Sequence, residues 1–150
     1  MVEKIKRYRH IRYDRKYEGL YKKIGKEFGD QDGLTTKIYL TALTIGFLEN
    51  KYEPLTSNTK DIRYFDELPD DAKWLIKCIA IAHTEDIFVL ERGNEMLDIC
   101  DAYANGGIRV LEAILFSPSM SGTPIKKFER YVREKLHPII NGVKTPIAAQ

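Results

Sequence analysis

Cysteine is scarce in this chain: Cys78 and Cys100 are the only two in 150 residues. A disulfide-stapled secreted module needs several pairs at short spacings, so that class is excluded. Long hydrophobic runs are missing as well. No stretch approaches the roughly 18 uninterrupted apolar residues of a membrane span, and the opening Met1-Val2-Glu3-Lys4-Ile5-Lys6-Arg7 lacks the apolar core of a signal peptide. The expectation is a cytoplasmic protein that does not enter a membrane. Net charge is small, +2, while nine Tyr, six Phe and one Trp supply material for a core, which excludes a disordered chain. A length of 150 residues suits one compact domain.

Catalytic and metal signatures are also lacking. There is no G-x-S-x-G, no P-loop and no dinucleotide fingerprint. Cys78 and His83 are five apart, on different faces of a helix, and neither they nor Cys100, His10 and His137 form a C-x-x-C or H-x-x-x-H pair. No metal or other cofactor is expected. Asp30-Gln31-Asp32-Gly33 begins like a calcium loop, but the position that needs a bidentate Glu holds Thr41, so the segment reads as a turn. Glu91, Glu95 and Asp98 follow one helical face, with Asp101 three residues on. Paired carboxylates can hold Mg²⁺ or act as acid and base, yet no nucleophile accompanies these. The row reads as an acidic face suited to docking a basic partner, including this protein's own N-terminal arm. The expectation is a protein without catalytic residues.

What the sequence does have is segregated charge. Residues 1–28 carry +6, residues 29–122 carry −8 and residues 123–150 carry +4. Either the basic ends fold back on the acidic body, or they converge and meet a polyanion. Lys and Arg bind phosphates through counterion release, and the interleaved Tyr8, His10 and Tyr13 could stack on bases. The candidate nucleic-acid contacts are Lys4, Lys6, Arg7, Arg9, Arg12, Arg15 and Lys16 at one end and Lys126, Arg130 and Arg133 at the other. The candidate protein-docking residues are Glu91, Glu95 and Asp98.

Hydrophobic periodicity points to an all-α fold, a compact bundle of about five to six helices behind a basic arm. The arm, residues 1–14, alternates cationic with apolar residues and reads as extended or as an edge strand. Helices are expected over 16–28, 36–49 (capped by Thr35 or Thr36), 71–84, from 87 or 94 to 104, 108–116 and 124–137. The segment 50–66 reads as a loop or a short hairpin. The helices at 36–49 and 71–84 are apolar nearly all round, which places both at the centre of the core, and Gly46 marks a close crossing. Asn105-Gly106-Gly107 reads as a helix stop, and Thr123-Pro124 as a helix start. The helical domain therefore spans 15–137, followed by a tail over 138–150.

Several strings carry a family resemblance: Tyr17-Glu18-Gly19-Leu20-Tyr21, Thr36-Lys37-Ile38-Tyr39 leading to Ile45-Gly46-Phe47, Trp74-Leu75-Ile76-Lys77-Cys78-Ile79-Ala80, and Ala102-Tyr103-Ala104-Asn105-Gly106-Gly107. Over roughly residues 15–115 the chain resembles the small proteins associated with Dnd (DNA phosphorothioation) systems. The resemblance implies an accessory of a prokaryotic DNA-modification or phage-defence (antiviral) cluster, with no catalytic residues to carry over. Two expectations follow: contact with DNA or RNA through the basic ends, or assembly with other subunits of such a system or with a second copy.

Overall fold

The computed structural model describes residues 8–29, 33–118 and 121–148, with side chains as far as residue 139. Among these residues the fold is mainly helical, as the periodicity predicts, with five α-helices and a sheet of two strands. Strand β1 (His10–Asp14) takes the alternating segment of the arm. Ile11 and Tyr13 point inward and are buried, while His10 and Arg12 on the other side are half-covered. Its antiparallel partner β2 (Thr59–Tyr64) comes from the segment 50–66, so this connection pairs with the arm and forms no hairpin of its own. The register runs from His10 opposite Tyr64 to Asp14 opposite Thr59, with a bulge that accommodates Ile62.

A 3-10 turn (Arg15–Tyr17) leads into α1 (Glu18–Phe28), which buries Tyr21 and Ile24. The Tyr21 ring stacks on Tyr13 at 4.4 Å and ties the strand to the helix. Helix α2 (Leu34–Leu48) starts after Gly33, which takes the cap position with φ 72° in place of Thr35 or Thr36. Only a residue without Cβ adopts that backbone freely.

Helix α3 (Asp70–Thr84) opens as expected, with Pro69 before it and Asp70 and Asp71 in the first turn, where carboxylates favour the positive end of the helix. Its burial departs from expectation. Ala72, Ile76, Ile79 and Ala80 are buried, but Trp74 is 62% exposed and Cys78 is exposed too. Helix α3 lies over the core with one apolar face uncovered.

The centre belongs to α4 (Gly93–Phe116), a single helix that passes through Asn105-Gly106-Gly107 without stopping. Here the glycines are packing positions. A Cβ on Gly107 would collide with the Ala42 carbonyl of α2, one on Gly46 with the Tyr103 carbonyl, and one on Gly106 with the Lys51 carbonyl. Helices α2 and α4 thus cross backbone to backbone, which bears out the reading of Gly46, and residues 99–108 of α4 are buried on every side.

The chain falls into two compact units, residues 1–111 and 112–150. The second contains α5 (Pro124–Ala148). The Lys126 amide donates to the Thr123 hydroxyl at 3.3 Å, the expected N-cap. The helix was expected to stop at 137 but continues past Pro138, because the apolar stripe of Val132 and Leu136 continues at Ile139 and a proline removes only one backbone donor.

Candidate interaction surfaces

Among the described residues of the arm, Arg9 and Arg12 have partners within the first unit. Arg9 bridges two carboxylates of α4, Asp98 and Asp101, the latter at 2.9 Å. The Arg12 amide donates to Asp101 at 3.3 Å, and its guanidinium lies 3.9 Å from the same carboxylate. Asp101 also accepts from the Tyr39 hydroxyl at 2.6 Å. Burial pushes the Asp101 carboxyl up to about 6, against the pull of Arg9 and the hydrogen bonds from Tyr39 and Arg12. Tyr8 secures the arm further: its amide donates to Asp66 at 2.9 Å, its hydroxyl to the Leu90 carbonyl at 3.1 Å, and its ring meets Phe65 edge-on.

Asp14 anchors the other end of β1. Burial raises its carboxyl, but the amide and hydroxyl of Thr56, at 3.0 and 2.9 Å, and the nearby Lys16 outweigh this and hold it below the usual range. Glu53 forms a third node. It accepts from the Tyr17 hydroxyl at 2.7 Å, from Asn105 at 3.0 Å and from Arg109 at 3.4 Å. Burial and this carboxylate push the Tyr17 phenol up to about 12. Between β1, the segment 52–59 and α4 lies a pocket of about 350 Å³ lined by Arg12, Tyr52, Thr56, Ser57, Asp98 and Asp101. Its two carboxylates are balanced by Arg9 and Arg12.

Of the other expected contacts, Lys4, Lys6 and Arg7 lie outside the described residues. Arg15 is exposed, its Nε donating to the Thr59 carbonyl at 3.2 Å. Lys16 is exposed, 4.0 Å from Asp14 and over the Tyr17 ring. In the second unit, Lys126 pairs with Glu129 at 3.6 Å, Arg130 donates to the Ser121 carbonyl at 3.4 Å, and all three of Lys126, Arg130 and Arg133 are exposed. Lys127 beside them is buried and donates to the Ser117 carbonyl at 2.8 Å. The acidic row is divided among partners: Asp98 goes to Arg9, Glu95 to Arg92, and Glu91 is exposed. Among the described residues, no three His, Cys, Asp or Glu side chains gather as metal ligands, and no helix is long and apolar enough to cross a membrane.

The most distinctive surface includes a side of α3 that the hydrophobic periodicity assigns to the core. Trp74 on α3 and Ile87 and Phe88 in the following 3-10 turn (Ile87–Glu91) are 62%, 63% and 62% exposed. Cys78 and Ala82 extend the Trp74 stripe along α3 at four-residue steps and are exposed as well. The turn is held rigidly: Asp86 caps the Phe88 amide at 2.9 Å and pairs with Arg92, which also holds Glu95. Near the end of α3, His83 bonds the Tyr103 hydroxyl at 2.8 Å and stacks on Tyr52, and Phe47 meets Tyr103 edge-on. The signal that could have located this face is the pair Asp71 and Glu85. Both fall on the Trp74–Cys78–Ala82 side of the helix, which marks that side as wet.

The family profile of DNA sulphur modification system-associated protein 4 matches residues 11–123. No curated protein and no solved structure shows a significant match.

Proposed function

The chain belongs to that family, and from this premise we propose that it serves a DNA sulphur modification system as a non-catalytic docking subunit, held to another protein of the system through the open face of α3. The exposure of Trp74, Ile87 and Phe88 carries this reading. Burying a large apolar side chain is worth about 2 kcal/mol, so three left in water on α3 and the turn that follows it are surface that a partner can cover with gain. A non-catalytic role is supported by the α4 carboxylates: Glu95, Asp98 and Asp101 are each neutralised by an arginine. The test is co-purification with the other components of the system in high salt with nuclease present. The wild-type chain is retained and the Trp74→Ala/Phe88→Glu variant is lost. Equal retention of both, or loss of the wild type on nuclease treatment, counts against the reading.

A second reading is direct nucleic-acid contact, favoured by the row Lys126, Arg130 and Arg133, exposed along one side of α5. Binding would weaken with salt in proportion to the phosphates neutralised, a slope of about −0.9 in log K per contact. Absence of binding at low salt to both single- and double-stranded probes removes this reading.

A further inference from the structure

The open face of α3 is bounded by charge as well as exposed. Along the side that carries Trp74, Cys78 and Ala82, Asp71 stands at the first turn and Glu85 just past the last, and both are exposed. They are 14 residues apart, about 21 Å along a helix axis. Asp70 lies beside Asp71, so the apolar strip has a carboxylate at each end and none between. A second copy pairing antiparallel through the same strip would bring Asp71 of one chain against Glu85 of the other, and like charges would meet at both ends. A parallel copy would set Asp71 against Asp71 and Glu85 against Glu85, and a shifted one would lay an acidic end over uncompensated apolar surface. The charge pattern disfavours self-pairing and selects its complement.

We propose that this face binds a segment of a partner protein that is cationic at both ends, with apolar side chains between them spanning about 20 Å. The apolar middle covers Trp74 and Cys78, and its terminal Lys or Arg residues meet Asp71 and Glu85. Charge pairs at the rim of such a contact set register and exclude wrong partners more than they add affinity. Lys77, whose ammonium lies 5.0 Å over the Trp74 ring, repels a cation placed at mid-strip and so reinforces the requirement for charge at the ends. The proposal rests on the docking reading above and narrows its partner.

Trp74 is the only tryptophan in the chain, so its emission reports cover on this face directly. The probe is a tryptophan-free helical peptide of about 18 residues with two lysines at each end and leucines along one side between them. A matched peptide carries glutamates in place of the lysines. With the wild-type protein the lysine-ended peptide gives a saturable blue shift of Trp74 emission and the glutamate-ended peptide gives none. Asp71→Lys/Glu85→Lys reverses the preference; both residues are exposed, and Asp70 keeps a carboxylate in the first turn of α3. No shift with either peptide, equal shifts with both, or a shift produced by raising the protein concentration alone each overturn the proposal. If it fails while Trp74→Ala/Phe88→Glu still abolishes co-purification, the docking reading stands with a partner of different chemistry.

Discussion

Helices α3 and α4 are both rich in apolar residues, and they occupy opposite positions in the molecule. Helix α4 is enclosed on all sides over residues 99–108, whereas α3 buries one side and leaves a tryptophan in water. The difference lies in side-chain size at the contact faces. Gly106 and Gly107 let neighbouring backbones approach α4 directly, Gly46 of α2 completes that crossing, and the small Ala102 and Ala104 are buried beside them. On α3 the small residues Ala72 and Ala80 face inward, and the largest side chain faces out. Apolar content alone does not decide what is covered; the placement of small residues does.

The largest effect expected from this contrast is at Gly107. Gly107→Ala forces a methyl into the Ala42 carbonyl, with backbone on both sides, and should cost about 3 kcal/mol or more in chemical denaturation. An effect below about 1 kcal/mol would mean that the crossing is looser than described. Next is Arg9→Ala, which strips the buried Asp101 of its principal cation and should cost about 3 kcal/mol at neutral pH. The loss should shrink towards pH 5, where Asp101 can take up a proton.

Asp101 itself sharpens the account through pH. Its carboxyl sits at about 6 when folded, above the ordinary value of about 3.9, so the folded state holds that proton more tightly than the unfolded chain does. Its contribution to stability is therefore greatest below about pH 4 and is lost as pH rises to about 6, with no further change above. Asp101→Asn should flatten the stability profile over that window; an unchanged profile would remove the buried-charge description. The smallest effect on stability is at Trp74. Trp74→Ala should stay within about 0.5 kcal/mol of wild type while abolishing partner retention. A large destabilisation would mean that α3 is more covered than its exposure indicates.

Much of this fold is legible in the sequence, and the unread parts have physical causes. Helix-start chemistry marks Pro69-Asp70-Asp71 and Thr123-Pro124 correctly because those signals act within one turn. Alternation in the arm gives a strand, but its partner lies some 50 residues away, beyond any local pattern. Asn105-Gly106-Gly107 misleads because glycine serves both as a helix stop and as a close-packing position, and only the facing Ala42 and Lys51 carbonyls distinguish the two uses. Within the candidate sites, a basic residue and its acidic partner are equally visible while their pairing is not. Arg9 reads equally as a candidate nucleic-acid contact and as part of an arm folded back on the acidic row, and in the structure it holds α4 to β1. The α5 row, by contrast, keeps its cations exposed.

Cys78 lies on the open side of α3, while Cys100 is buried with its thiol donating to the Ile76 carbonyl. Maleimide labelling of Cys78, followed by mass spectrometry of this chain, therefore reads cover on that face and nowhere else. Labelling of the isolated protein should be rapid, and at least about tenfold slower once the chain is assembled with its system's components, because a desolvated contact excludes the reagent. Unchanged labelling of Cys78 in a complex that demonstrably contains the chain would contradict docking through α3.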